Sequence, residues 1–324
     1  AGVRTVRFVL TDGDGGTSSN QDTTVTVSAV NDAPTFAAGS GIVMTPVSAG
    51  HDYAQGSVLQ PDGKILVAGY GAGTGWDFAL ARFNADGSLD AGFGTGGRVV
   101  TGIGTTHDYG QSVALQADGK IVVAGYTFNG TKHDFALLRY NADGTLDASF
   151  GTGGKVSTSV GTDDDRAYSV AVQADGRILV AGLSTSGGLM DYALLRYNAD
   201  GTLDASFGTG GKVLTAVGPY DDTATSIAVQ ADGKIVVAGS SYTSSYDFSM
   251  VRYNSDGTLD AGFGTGGKVI TALGAGADQS YSVAIQADGK IVVAGSSFSG
   301  TNDFAAVRYN ADGTLDAGFG TGGK

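Results

Sequence analysis

Cysteine and glutamate are both absent from this 324-residue chain, and proline (4), histidine (3) and tryptophan (1) are scarce. Without cysteine there can be no disulfide, no thiolate zinc site and no cysteine nucleophile, although the count alone does not fix a compartment. Without glutamate, all 32 acidic residues are aspartate. Glutamate favours helices, whereas aspartate and the 55 glycines favour turns and caps, so the choice of acid points to strands joined by tight turns. It also removes the usual general acid of a glycosidase and leaves only aspartate for that work. Basic residues number 19, giving a net charge of −13. That balance argues against nucleic acid, whose affinity rests on Lys and Arg neutralising phosphates, and against anionic membrane surfaces. No apolar run approaches the ~18 residues of a membrane span. Nor does the start, Ala1-Gly2-Val3-Arg4, have the charged and then apolar form of a secretory signal.

What fills the chain is repetition. The tripeptide Asp-Gly-Lys/Arg begins at Asp62, Asp118, Asp175, Asp232 and Asp288, at spacings of 56, 57, 57 and 56 residues. The turn Asn-x-Asp-Gly keeps step at Asn84, Asn141, Asn198, Asn254 and Asn310. A fixed period of this size marks an array in which each unit buries its apolar face only against its neighbours. The second copy shows the unit. Residues 112–116 read as a short first strand and Ala117-Asp118-Gly119 as a hairpin turn. The apolar run 120–125 reads as an inner strand covered on both faces, 134–140 as a third strand and 155–158 as a fourth. Four antiparallel strands per copy make a blade, so residues 36–324 are expected to be a β-propeller of five four-stranded blades in an all-β chain.

The ends suggest how such a ring is completed. Residues 36–45 look like the closing part of a unit, and the fifth copy stops at Lys324 before its own fourth strand. The economical expectation is that residues 42–45 complete the fifth blade and close the ring; the rival is a truncated array with an open last edge.

Residues 1–35 follow another pattern. Residues 3–10 alternate, with Val6, Phe8 and Leu10 on one side; Asp12-Gly13-Asp14-Gly15-Gly16 makes a turn; residues 23–30 alternate again. This reads as the last hairpin of a β-sandwich, ended by the linker Asn31-Asp32-Ala33-Pro34. The order Thr-Asp-x-Asp-Gly-Gly, Val-Thr-Val, Asn-Asp-Ala-Pro resembles the tail of cadherin-like and immunoglobulin-like repeats of long bacterial surface proteins. The resemblance implies calcium at the junction, held by Asn31 and Asp32 with Asp12 and Asp14 contributing. Ala33 stands where cadherins place a further Asn, and the partner glutamates are missing. For the array, the run from Arg139 to Val156 resembles the signature of bacterial delta-60 repeats, grouped as a β-propeller domain of unknown function. That resemblance implies a fold and a surface-protein context but no activity.

The individual motifs favour scaffolding. Each copy reads Arg-x-Asn-x-Asp-Gly-x-Leu-Asp (Arg139, Asn141, Asp143 and Asp147 in the second), like a calcium loop with arginine at the first ligand. The expectation is that the guanidinium takes the cation's place and pairs with both aspartates. The segment Gly262-Phe263-Gly264-Thr265-Gly266-Gly267-Lys268 imitates a phosphate loop, but Val269 stands where Ser or Thr belongs and a strand follows. The aspartates opening the third strands (Asp77, Asp134, Asp191, Asp247, Asp303) are expected to bond to a neighbouring blade, and aromatics such as Phe135 and Tyr140 to pack between blades.

The copies differ in two places. One is the connection into the first strand, near His51, His107, Asp164, Asp221 and Ala277, which would make an acidic rim if the loops share a face. The other is the link between strands two and three, rich in hydroxyls and aromatics; here Trp76, His133 and Tyr246 are the candidate ligand-binding residues, suited to carbohydrate or peptide. The function expected is a non-enzymatic structural or adhesin-like ligand-binding module of a large bacterial surface or secreted protein, with carbohydrate or a cell-surface protein as partner. The alternative is a polysaccharide-active hydrolase or lyase using aspartates at the propeller mouth.

Overall fold

The computed structural model describes residues 3–8, 21–26, 42–73, 75–104 and 106–324, and the chain divides into two units, Ala1–Val43 and Met44–Lys324. In the first, β1 (Val3–Phe8) pairs antiparallel with β2 (Gln21–Thr26), from Val3↔Thr26 to Phe8↔Gln21. Alternation thus locates a hairpin, and residues 27–30 of the second alternating stretch lie outside the described residues. Asp12, Asp14, Asn31 and Asp32 lie outside the described residues.

The second unit consists of meander sheets in chain order, with no helix among the described residues. The first sheet holds β3 (Asp52–Leu59), β4 (Ile65–Ala72), β5 (Trp76–Phe83) and β6 (Arg98–Thr101). The second holds β7 (Asp108–Leu115), β8 (Ile121–Phe128), β9 (His133–Tyr140) and β10 (Lys155–Thr158). The third holds β11 (Asp165–Val172), β12 (Ile178–Ser186), β13 (Leu189–Tyr197) and β14 (Lys212–Thr215). The fourth holds β15 (Asp222–Val229), β16 (Ile235–Tyr242), β17 (Tyr246–Tyr253) and β18 (Lys268–Thr271). The fifth has β19 (Asp278–Ile285), β20 (Ile291–Phe298) and β21 (Asn302–Tyr309). These are the five blades of a β-propeller. The proposed closing strand is a correction: residues 42–45 form no strand, Ile42, Val43 and Met44 are exposed, and the fifth sheet has three strands.

Successive first strands lie against one another, β3 on β7, β7 on β11, β11 on β15 and β15 on β19, so they form the inner edge of the array. The strand period of two then decides which neighbour each side chain meets. In β9, Phe135 and Leu137 face forward, into a core with Ala167, Ile178 and Val180 of the third sheet. Ala136, Leu138 and Tyr140 face backward, into a core with Leu66, Phe78 and Leu80 of the first. Phe135 and Tyr140 are both fully buried, confirming them as inter-blade packing. Each such side chain contributes roughly 1.5–3 kcal/mol by burial.

The two repeated sequence anchors meet in one ion cluster. Asp147 Oδ2 accepts from Arg139 Nε at 2.8 Å and lies 3.0 Å from Lys120 Nζ. Burial opposes ionisation, yet the bonds from Ser149, Lys120 and Arg139 hold its carboxyl well below the usual range. Asp143, the other aspartate expected to pair with arginine, instead caps its own turn, accepting from Thr145 N at 2.9 Å and Thr145 Oγ1 at 2.7 Å. The chain doubles back after the turn, with Asp147 N donating to Arg139 O, so position i+8 rather than i+4 returns to the arginine.

The same arginine ties blades together. Arg139 Nη1 donates to Ala199 O in the next blade, and its guanidinium lies 4.5 Å from the centre of the Phe150 ring. Beside it Gly151 N donates to Asp200 O at 2.7 Å. Gly201, at φ +87°, packs on Phe150 so closely that an added Cβ would stand 3.0 Å from the ring. The Gly-Thr-Gly-Gly segment that imitates a phosphate loop is thus a junction turn, and Lys268 opens a strand.

Candidate functional site

Trp76, His133 and Tyr246 occupy one equivalent position, the first residue of the third strand in the first, second and fourth blades. Here the two variable segments meet. Trp76 N donates to His107 Nδ1 at 3.2 Å, His133 N to Asp164 Oδ1 at 2.9 Å, and Met190 N to Asp221 Oδ1 at 3.0 Å. Each bond links a hairpin to the connection entering the next blade, so both sets of loops lie on one face.

That connection is held by a buried aspartate. Asp108 accepts from Ile103 N at 2.6 Å, from Gly104 N and from Thr127 Oγ1, and is completely buried. Asp165 does the same with Val160 N at 2.7 Å, Gly161 N at 3.0 Å and Ser184 Oγ at 2.5 Å. These carboxylates staple loops and do not line a rim. The aspartates that open the third strands also depart from expectation. Asp134 accepts from Asn129 Nδ2 at 2.7 Å and Asp247 from Thr243 Oγ1 at 2.8 Å, both within their own hairpins rather than across to a neighbour.

On this face the first two blades carry a continuous aromatic belt. Tyr53 stacks on its cross-strand partner Tyr70 at 5.1 Å, and Trp76 meets both edge-on at 5.5 Å. Tyr70 contacts Tyr109 at 5.1 Å, across the blade junction. Tyr109 stacks on Tyr126 at 4.8 Å, and His133 stands 5.3 Å from Tyr126 and from Phe128. Tyr168 and the Arg166 guanidinium, 5.6 Å from the Tyr126 ring centre, close the belt on the third blade. Trp76 and His133 therefore belong to one surface. Tyr246 does not; it sits in a smaller group with Tyr220 and Tyr242 on the fourth blade.

Sequence reasoning missed the tyrosines of the belt, though a signal existed. The three positions that are Tyr53, Tyr70 and Trp76 in the first copy are Tyr109, Tyr126 and His133 in the second. In the fifth they are Gln279, Ser296 and Asn302.

The charge beside the belt is graded. Burial pushes the Asp77 carboxyl up, and neighbouring Asp108 adds to this, against weaker opposition from His107 and Lys155. Burial also acts on Asp164, but bonds from His133 and Arg166 outweigh it and hold its carboxyl low. Burial drives the Tyr126 phenol up to about 12, so it is a neutral donor at pH 7. Among the described residues no group of three or more His or Asp is placed to hold a metal ion. Two clefts among the described residues lie away from the belt. One of about 590 Å³ is lined by Gly94, Arg98, Val99 and Gly144, and one of about 490 Å³ by the matching Gly264, Lys268, Val269 and Gly313. They recur with the repeat, as a packing feature does.

A family model described as a domain of unknown function (DUF5122) beta-propeller matches residues 60–93, 116–150, 173–207, 230–263 and 286–319, one segment in each blade. The chain belongs to this family. The DUF5122 segments run from the first hairpin turn to the junction phenylalanine, so they span the Lys–Asp–Arg cluster and omit the first strand and its loop. The family's pattern is therefore the scaffold, and Tyr53, Tyr109 and Tyr168 of the belt lie outside it.

Comparison with the curated proteins finds no match. Solved structures do share the fold. A Dyadobacter fermentans protein of unknown function aligns with a TM-score of 0.50 at 12% identity, over 78% of this chain and 74% of its own. A gluconolactonase from Xanthomonas campestris aligns with a TM-score of 0.47 at 13% identity, over 83% and 76%. A Bacteroides caccae protein of unknown function aligns with a TM-score of 0.38 at 15% identity, over 65% of this chain; the DUF5122 chain spans 66% of that protein's length. These likenesses speak to fold alone. The expectation that the chain is no enzyme is withdrawn, because a fold does not by itself decide between an enzyme and a binding module.

Proposed function

We propose that the aromatic belt of the first two blades binds saccharide. The observation that carries this reading is the run of contacting rings from Tyr53 through Tyr70 and Tyr109 to Tyr126, flanked by Trp76 and His133. Aromatic faces receive the apolar face of a sugar ring, and phenol and imidazole groups at their edges hydrogen-bond its hydroxyls. Resemblance of residues 1–35 to the tails of bacterial surface repeats supports a place in a large surface or secreted protein, with a glycan or glycosylated surface protein as partner. The same resemblance supports calcium at Asp12, Asp14, Asn31 and Asp32.

The test is a glycan-array screen of the whole chain, followed by titration of the best ligand against Trp76→Ala. The expected result is binding to one sugar class, weakened about tenfold or more by the substitution with little change in melting temperature. Absence of binding by the folded chain would remove the proposal.

A second reading, hydrolysis of a bound polysaccharide, has one observation in its favour. Asp77 follows Trp76 directly, and its raised proton affinity suits a general acid. Product release from an array-positive glycan, lost in Asp77→Asn while binding persists, would support it; an intact glycan after prolonged incubation would exclude it.

A further inference from the structure

We propose that His107 positions Trp76 in the aromatic belt while its imidazole is neutral and releases it on protonation, so that mild acid weakens saccharide binding. The inference rests on the reading of the belt as a saccharide site and adds its regulation. A backbone N–H can only donate, so the bond from Trp76 N at 3.2 Å requires a lone pair on His107 Nδ1 and places the imidazole proton on Nε2. A second proton goes to Nδ1 itself. It removes that lone pair and sets two donors against each other.

Equivalent junctions use a different acceptor. The residue before each buried loop aspartate is His107, Asp164, Asp221 and Ala277 in turn. Asp164 and Asp221 accept through Oδ1, from His133 N at 2.9 Å and from Met190 N at 3.0 Å. A carboxylate keeps its acceptor oxygens across about pH 5–8, the range in which imidazole titrates. Ala277 offers no side-chain acceptor. The titratable acceptor therefore stands in one junction, and that junction carries Trp76, the chain's single tryptophan.

The backbone here does not depend on the imidazole. His107 O accepts from Phe128 N at 2.9 Å, as Asp164 O does from Thr185 N, Asp221 O from Tyr242 N and Ala277 O from Phe298 N. Beside it Asp108 is completely buried on its loop bonds. What protonation alters is the hairpin end that holds Trp76. Opposite Trp76 on β4, Ala72 also donates out of its sheet, to His51 O at 3.0 Å. The hairpin end is thus tied on one side to the loop before its own blade and on the other to the loop entering the next. Releasing the second tie loosens the indole against Tyr53 and Tyr70, each of which it meets at 5.5 Å. The charges around the imidazole pull both ways. Asp77 of β5 and the adjoining Asp108 of β7 favour the imidazolium, and Lys155 of β10, bonded to Gly102 O at 2.6 Å, opposes it. Tyr109 of β7, with its ring 6.3 Å away, is a neutral phenol that burial raises further.

Isotope-labelled tryptophan gives a single backbone amide signal, whose hydrogen exchange is followed without any ligand. Exchange protection of this amide and the affinity of the best array glycan are measured at about pH 7.5 and 5.5, on either side of imidazole titration. In acid the native amide should lose about fivefold or more of its protection, and affinity should fall about three- to tenfold, the size of one hydrogen bond. His107→Asn keeps an acceptor at both pH values and should reduce both changes to less than about twofold. His107→Ala lacks one at both and should show the low protection throughout. Unchanged protection in the native chain overturns the proposal whatever the glycan does. So does protection lost without loss of affinity, or a pH dependence that survives in His107→Asn, which would assign it to Asp77 or His133. No glycan bound at either pH removes the saccharide reading itself, and the proposal with it, even where the amide opens in acid.

Discussion

The junction between the second and third blades and the outer face of the fifth are built from the same side chains in the same order. In the junction, Phe135 is completely buried and Arg139 serves an aspartate, a phenylalanine ring and a carbonyl of the next blade. On the outer face of the fifth, Phe304 lies open and, among the described residues, Arg308 serves an aspartate and the Phe319 ring. A repeat of this kind holds half of each interface, and what a residue contributes depends on whether the other half has arrived. Counting motifs along the chain would assign these two sites equal weight; their surroundings do not.

Paired substitutions break this comparison most directly. Phe135→Ala should lower stability by about 3–5 kcal/mol in denaturant titration, whereas Phe304→Ala should shift it by less than about 0.5 kcal/mol. Equal losses would mean that the fifth blade is covered in solution. Next in size, Arg139→Ala removes one partner of a buried pair and should cost about 3 kcal/mol, with Arg308→Ala leaving the unfolding midpoint nearly unchanged. Gly201→Ala, forced to adopt φ +87° and pressed onto Phe150, should lose about 1–3 kcal/mol.

The smallest effects concern pH and carry opposite signs. Asp90, Asp147, Asp204 and Asp260 titrate below their ordinary value of 3.8 in the folded chain. Their stabilisation is present above that value and is lost as pH falls through the lowered range. Asp77 is raised, so its contribution is fully present below 3.8 and is lost as pH rises through its folded value. Asp77→Asn should therefore raise the melting temperature at pH 7 and leave it unchanged at pH 3. A rise of equal size at both would tie the effect to packing instead of charge.

Much of this architecture was legible because strand alternation and turn chemistry are local. Asp118-Gly119 and Asp143-Gly144 mark turns whatever surrounds them, and the apolar run at 121–124 needs cover on both faces. The partners of Arg139 were legible only in part. Loop spacing suggested both aspartates, and Asp147 does pair, but the turn directs Asp143 to Thr145 while the returning backbone brings Asp147 alongside. The carbonyls of Ala199 and Asp200 were hidden for a different reason: a backbone acceptor leaves no trace in residue identity. Closure by residues 42–45 failed because likeness to a closing segment does not supply the pairing that makes a strand.

In the candidate site, Trp76 and His133 stood out by rarity. Tyr53, Tyr70, Tyr109 and Tyr126 did not, because tyrosine occurs throughout the array and its partners are set by cross-strand register and blade contact. Tyr246 occupies the same position as Trp76, yet Thr223 and Ser240 take the places of Tyr53 and Tyr70, so its blade has no stack to join. The belt is a property of three positions read together over two copies.

Because Arg82, Arg139, Arg196 and Arg252 each reach the carbonyl of a turn with the same backbone course, the four joints are interchangeable. Misaligned recombination between copies would insert or delete a whole 56- or 57-residue unit and leave a chemically identical joint at the seam. The length of such a gene can drift by whole blades without a new interface having to evolve, while the belt, confined to two particular copies, would be doubled or erased in a single event.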